Sequence, residues 1–234
     1  MVDCTLRDGG YYNNWDFSED LINDYLHAMS CCNIDYVEIG YRSFDNEGFK
    51  GPNAFANDYF LNNLNIPENI NIGIMLNGNE FAGKENINYL LSNLFPLTGK
   101  NTKVKFVRIA SNLNEIKSLL KVINWLKNKG FKVFINLMKI SENSLREFKK
   151  YLPDLKESQI DALYVADSYG NLDINKLEEI IKNIRGYWQG QLGIHAHDNL
   201  GLALANTLKA ASMGVEWLDS TVCGMGRGSG NAKT

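Results

Sequence analysis

The segment of this 234-residue sequence whose residue types and spacing imply chemistry most directly is His195-Ala196-His197. On a strand, residues i and i+2 project from one face, so both imidazoles can aim into one space. Two of the three histidines in the sequence share that face. This favours a bound metal over one hydrogen-bonded core histidine and one facing solvent. Arg7-Asp8 is the second signal. A permanently charged guanidinium beside a carboxylate either closes a salt bridge or meets an oxyanion as it develops, a contact typically worth about 3 kcal/mol of transition-state stabilisation. Further polar residues fall where apolar runs end: Glu38 and then Arg42, Asp167-Ser168, and Gly224-Met-Gly-Arg-Gly-Ser-Gly-Asn231.

Elements must position these residues. Runs rich in β-branched and apolar residues recur at 2–6, 36–40, 70–76, 104–110, 132–138, 162–166, 192–197 and 215–222, a spacing that suits one strand–helix unit each. Helical stripes lie between them: Ile116, Leu119, Leu120, Ile123 and Leu126 before Gly130; Leu145, Phe148 and Leu152; and Leu177, Ile180, Ile181 and Ile184 between Asp173 as N-cap and Gly186. Strands separated by helices pair in parallel through right-handed crossovers. Eight of them predict a (β/α)8 TIM barrel, typically about 250 residues long. A doubly wound open sheet is the alternative, but it calls for a glycine fingerprint after the first strand, where this sequence reads Arg7-Asp-Gly-Gly-Tyr-Tyr12. Without a linker or a break in composition, residues 1–234 are expected to form a single catalytic barrel domain. The sequence stops at Thr234, where an eighth helix should begin. The expectation is therefore a barrel lacking its last helix, truncated after strand 8 or completed by a second copy of the chain or another partner.

Such a barrel gathers its active site at the C-terminal strand ends. Strand 8 lies between strands 7 and 1, which brings Asp8 within one strand of His195 and His197, with the glycine loop filling the gap. Two imidazoles, one carboxylate and an amide oxygen leave positions open on an octahedral divalent ion, Mn or Mg in the first place and Fe or Co in their stead. A net charge of −3 without basic clusters argues against a nucleic-acid grip. No run of 18 apolar residues suggests a membrane span. Met1 leads into no basic-then-apolar leader, and Cys4, Cys31, Cys32 and Cys223 show no CxxC spacing, which points to a reduced, cytoplasmic protein. Cys223 is read as a buried strand-end thiol and His27 as a structural residue of the first helix. The abundance of asparagine is read as a nucleotide-composition habit without functional weight.

Asp3-Cys-Thr-Leu-Arg-Asp-Gly9, Glu38-Ile-Gly40, Ala166-Asp-Ser168, Gly193-Ile-His-Ala-His-Asp-Asn199 and Gly224-Met-Gly-Arg-Gly-Ser-Gly-Asn231, in this order along the whole sequence, resemble the pyruvate-using aldolase and acyltransferase superfamily. That superfamily contains 4-hydroxy-2-oxovalerate aldolase, hydroxymethylglutaryl-CoA lyase and isopropylmalate synthase, and the aldolase branch is the nearest in motif. The resemblance implies that Asp8, His195 and His197 ligate the metal and that Asn231 completes the site. It implies further that Arg7 stabilises the enolate of pyruvate or a similar 2-oxo acid, that Ser168 holds its carboxylate, and that Glu38 belongs to the polar shell of the substrate site, where pairing with Arg7 is compatible. Hydroxyoxovalerate aldolases carry a histidine shortly after Arg-Asp-Gly; Gly10-Tyr11-Tyr12 stand there instead. A phenol titrating near pH 10 is a poor base at neutral pH, so Tyr11 is assigned to positioning a water or the substrate hydroxyl.

The expected function is a divalent-metal-dependent carbon–carbon lyase that cleaves or forms a 4-hydroxy-2-oxo acid through a pyruvate-type enolate, with a small 2-oxo acid and an aldehyde as its partners. Two alternatives stand beside it: a Claisen-type acyltransferase joining an acyl-CoA to a 2-oxo acid, and a catalytically silent barrel subunit. Arg227 leaves room for a phosphorylated substrate.

Overall fold

The computed structural model describes residues 1–45, 47–142 and 144–234, the side chains of Leu145 and Leu152 excepted. Its elements alternate: β1 (Val2–Asp3), α1 (Thr5–Gly9), α2 (Glu19–Cys31), β2 (Tyr36–Tyr41), α3 (Asp58–Asn63), β3 (Asn71–Asn77), α4 (Ile87–Leu94), β4 (Val104–Ser111), α5 (Ile116–Asn128), β5 (Lys132–Leu137), α6 (Leu145–Glu157), β6 (Ala162–Asp167), α7 (Ile174–Arg185), β7 (Gln191–Ala196), α8 (Ala203–Ser212) and β8 (Trp217–Ser220). The strands pair in parallel in sequence order, and β8 closes on β1. This is the (β/α)8 barrel that the spacing predicts.

Local chemistry sets the helix starts. Ser18, Asn57, Ser144 and Asp173 each accept a backbone N–H from the first turn of α2, α3, α6 and α7, satisfying donors that have no partner inside the helix. In α5, Ile116, Leu119, Ile123 and Leu126 are buried against the sheet as their periodicity requires. Of the stripe on α6, Phe148 is buried, and the side chains of Leu145 and Leu152 lie outside the described residues.

Strands buried on both faces alternate between an outer layer packed on helices and an inner layer that fills the barrel. At the N-terminal end the filling is aromatic: Phe106 stacks on Phe134 at 5.1 Å, and Trp217 lies 4.8 Å from both Phe134 and Tyr36. Glycines make room for this plug. A Cβ at Gly73 would fall 1.9 Å from the Phe106 ring, and one at Gly193 would fall 2.5 Å from the Tyr164 ring. Above the plug the inward positions turn from aromatic to charged, with Glu38, Arg108 and Asp219 all buried.

One expectation changes and one holds. The first strand is two residues long, not five, because the Asp3 carboxylate accepts the Thr5 N–H at 2.8 Å and turns the chain into α1. After β8, residues 231–234 fold back over the top of the seam: Thr221 pairs with Lys233, and the Thr234 hydroxyl donates to Asp3 at 2.8 Å. Among the described residues no α-helix follows β8, as expected, only a 3-10 turn at Val222–Gly224, and Leu204 and Leu208, one turn apart on α8, stay 50% and 61% exposed. Gly193→Val is expected to cost about 1–3 kcal/mol through overpacking against Tyr164, read as a lower urea midpoint at unchanged slope.

Candidate metal centre and active site

Ending β1 early is what brings Arg7 and Asp8 to the barrel mouth. The Asp8 N–H donates to the Cys4 carbonyl at 2.8 Å, closing one helical turn in which every residue of α1 is buried. From the opposite side of the seam, β7 points His195 inward, with His197 just past the strand end. Asp8 Oδ2 lies 3.2 Å from His195 Nε2, and the nearest donor atoms of Asp8, His195 and His197 all fall within 4.8 Å of one another. The other nitrogen of each ring is committed. His195 Nδ1 donates to Asp219 Oδ2 at 2.8 Å, and His197 Nδ1 donates to the Gly230 carbonyl at 3.2 Å. Such bonds fix the tautomer and leave both Nε2 atoms as donors toward a cation.

The glycine loop supplies the fourth group. Asn231 bridges to His197 through its backbone and donates its Nδ2 hydrogen to Asp8 Oδ2 at 2.5 Å. Its Oδ1 is buried with no partner among the described residues. Gly226 must lack a side chain there, since a Cβ would sit 2.3 Å from the Asn231 amide. Two imidazole nitrogens, a carboxylate oxygen and an orphaned amide oxygen form a donor set that fits a divalent ion of borderline hardness with open positions. A second group, Cys4, His195 and Asp219, fits less well, because His195 Nδ1 and Asp219 already hold each other and Arg108.

Behind the donor set runs a closed circuit of buried charge. Arg7 Nε meets Glu38 at 2.5 Å and its Nη1 meets Asp8 at 3.1 Å. Arg108 Nε pairs with the other Glu38 oxygen at 2.7 Å, and its two Nη atoms hold Asp219, which holds His195. Burial would raise the Asp8 carboxyl, but Arg7 and His195 hold it far below the usual carboxylate range. Asp219 likewise resists its own burial because Arg108 and His195 face it, and it titrates at about 2. Burial and the adjacent His195 push His197 down to about 4, so it is neutral at pH 7. His195 moves the other way: burial opposes its charge, and hydrogen bonds to Asp219 and Asp8 outweigh it.

A cavity of about 320 Å3 opens in front of this circuit, within the range of small-molecule sites. Arg7, Asp8, Tyr11, Ser168, His195 and His197 all line it, so the sequence-predicted residues converge. Tyr11 and Tyr41 share a hydrogen bond at 3.1 Å between hydroxyls. Arg227 lines the mouth with its guanidinium over the Tyr11 ring. Ser168 Oγ accepts the Lys139 N–H at 2.9 Å. Glu38 lies beneath Arg7 in the shell under the site, fully buried between two guanidinium groups, and does not reach the cavity as a substrate-binding residue would.

Other expectations are corrected. Arg42 turns away from the mouth, bonding the Ala56 and Leu94 carbonyls and the Asp58 carboxylate, and clamps α3 and α4 to the barrel. Asp167 also points away, its carboxylate receiving the Asn171 and Leu172 N–H groups. Cys223 is exposed, not buried, because the chain reaches a positive φ of 56° there as it enters the glycine loop. His27 is exposed on α2, 3.7 Å from Cys31 Sγ. Arg108, Asp219, Tyr41 and Asn136 went unread in the sequence, although the first two are charged residues within apolar strands, which folding tolerates only when they are paired.

Asp219→Asn is expected to destabilise the fold by about 3–5 kcal/mol at pH 7, because Arg108 loses one of its two buried carboxylate partners. The folded-state carboxyl titrates at about 2, below the ordinary range near 3.9. Its contribution is therefore complete above about pH 4 and fades as pH falls toward 2. Urea unfolding of both forms at pH 7 and pH 3 should show the gap narrowing in acid.

The HMGL-like family model matches residues 1–234. Among curated proteins, oxaloacetate decarboxylase of Mycobacterium tuberculosis is 26% identical over 238 residues, covering all of this chain and 67% of that protein. The 4-hydroxy-2-oxovalerate aldolase of Bacillus thuringiensis is 24% identical over 241 residues, with the same coverage. Among solved structures, the N-terminal domain of a "putative aldolase" from Bacteroides vulgatus superposes with a TM-score of 0.86 at 35% identity, covering all of this chain and 76% of that one. The HMG-CoA lyase of Bacillus subtilis shares the fold at a TM-score of 0.76 and 14% identity, covering 100% and 82%. A match running the length of the chain, on a barrel whose mouth carries this donor set, makes the protein a member of the HMGL-like family.

Proposed function

We propose that this chain is a divalent-metal-dependent carbon–carbon lyase that cleaves or forms a 4-hydroxy-2-oxo acid through the enolate of pyruvate, with Asp8, His195, His197 and Asn231 as the metal ligands and Mn or Mg as the ion. The observation that carries this reading is Arg7. Its Nε and Nη1 are occupied by Glu38 and Asp8, and its Nη2 is buried beside the cavity with no partner among the described residues. A desolvated guanidinium donor held by two carboxylates, next to a metal-fitting donor set, is arranged for an oxygen that gains charge during reaction. Relatives named as 4-hydroxy-2-oxovalerate aldolase and oxaloacetate decarboxylase support it, since both reactions pass electrons into the same three-carbon enolate.

A divalent ion bound there would polarise the ketone of the 2-oxo acid. In cleavage, the C4 hydroxyl gives up its proton, the C3–C4 bond breaks with its electron pair passing toward the ketone, and C4 leaves as an aldehyde. Arg7 Nη2 donates to the enolate oxygen, and Ser168 donates to the substrate carboxylate. Tyr11, oriented by Tyr41, hydrogen-bonds the C4 hydroxyl or the water that takes its proton. Burial lifts the Tyr41 phenol well above its ordinary range even beside Arg7, so Tyr41 stays protonated and orients its neighbour. Glu38 acts from below, holding Arg7.

Arg7→Lys is expected to lower kcat about 100- to 1,000-fold while the affinity for Mn2+, measured by calorimetry, moves little; full turnover in this variant would sink the enolate role. Asp8→Ala is expected to abolish stoichiometric Mn2+ binding. Tyr11→Phe should slow pyruvate release from 4-hydroxy-2-oxo acids about 100-fold. Oxaloacetate decarboxylation, which loses CO2 and needs no hydroxyl proton removed, should fall far less.

A further inference from the structure

The wall of the cavity across from the metal ligands carries the amides Asn77 and Asn136 beside Met75, Ala110, Met138 and Lys139. β5 turns Phe134 and Asn136 inward: Phe134 enters the aromatic plug, and Asn136 sits one layer above it, lining the cavity. Asn136 is only 5% exposed, and its Oδ1 has no partner among the described residues. Its register neighbours do not supply one: Ala110 on β4 has no polar side-chain atom, and the Tyr164 hydroxyl on β6 makes no hydrogen bond among the described residues. Across Ala110, at the end of β3, stands Asn77, whose Oδ1 accepts the Asn79 N–H at 3.2 Å, leaving Nδ2 as the remaining donor. Two amides thus flank the Ala110 methyl, one offering an acceptor and the other a donor. A hydroxyl group both donates and accepts, and a site built to bond one discriminates strongly against the analogue that lacks it.

We infer that Asn136 and Asn77 are specificity-determining residues, and that the aldehyde partner is a 2-hydroxyaldehyde of the glycolaldehyde or glyceraldehyde type, not an unsubstituted alkanal. This rests on the pyruvate-enolate reading above. In the synthetic direction, C3 of the enolate bonds to the aldehyde carbon and the carbonyl oxygen takes a proton. Pyruvate and glycolaldehyde then give 4,5-dihydroxy-2-oxopentanoate. The second hydroxyl is untouched by the chemistry; its proton points to Asn136 Oδ1 and its lone pair receives Asn77 Nδ2–H. An alkyl chain in the same place would seal the Asn136 oxygen without a partner, the costly arrangement for a buried polar group.

Glycolaldehyde and propanal, equal in heavy-atom count, make the test. With the purified protein, pyruvate and Mn2+, kcat/KM for glycolaldehyde should exceed that for propanal by about 10- to 100-fold. Asn136→Leu should bring the ratio near one. Asn77→Ala, a change at a half-buried position that the fold should tolerate, should lower the ratio severalfold and keeps the test alive if the leucine variant does not fold. A wild-type ratio of one or less, or a ratio unmoved in the folded variants, overturns the inference. So does a tenfold preference for glyceraldehyde 3-phosphate over glyceraldehyde, which would move recognition to Arg227. Exchange of the pyruvate methyl protons in D2O, which needs no aldehyde, separates the two readings. Exchange with a ratio of one defeats only the hydroxyaldehyde assignment, whereas absence of exchange defeats the enolate reading beneath it.

Discussion

Everything at the mouth of this barrel depends on the circuit of buried charge from Asp8 through Arg7, Glu38, Arg108 and Asp219 to His195. None of these groups could be buried alone, since an unpaired charge in a low-dielectric interior is strongly unfavourable. Together they hold two guanidinium groups against three carboxylates, one negative charge in excess. His195 compensates for that charge: hydrogen bonds to Asp219 and Asp8 hold its proton more tightly in spite of burial. A divalent cation would take over that role at the same nitrogen. The circuit therefore sets ligand geometry, tautomer and electrostatic demand at once, and a change in any member is felt at His195.

The sequence carries the circuit in a form only partly legible. Strand and helix spacing was readable because burial imposes periods that survive without any knowledge of neighbours. The convergence of Asp8, His195 and His197 was readable because strand order in a closed barrel follows sequence order. What spacing does not reveal is which side of a strand end a polar group faces. Arg42 and Asp167 sit at strand ends as Arg7 and Ser168 do, yet one pins helices and the other ties a loop. The turn at Asp3 was hidden too, because a single carboxylate accepting one N–H decides it.

Asparagine shows the same limit more sharply. Counted over the chain, its abundance carried no signal, since many of the described copies stand exposed on helices or in turns. Sorted by register, Asn77 and Asn136 fall on inward positions at one height of the barrel, separated by Ala110. Residue type becomes informative only once the fold says which copies face the cavity. The metal end of the cavity is thus charged and tightly cross-braced, and the opposite end sets an amide oxygen open to hydrogen bonding beside Lys139.

Asp8 and Asn231 are 223 positions apart, yet they share a hydrogen bond inside the donor set; Tyr12 reaches the Gly226 carbonyl across a similar span. The ion would therefore lie on the seam where the first and last strands meet. Contacts this distant in sequence form late, after most chain entropy has been spent. Such a site does not exist in a half-folded barrel: it is absent until the segment after β8 has joined the turn after β1. Occupancy of the centre and closure of the ring would then be one event: an ion captured there would act as the clasp of the barrel, and opening the seam would release it.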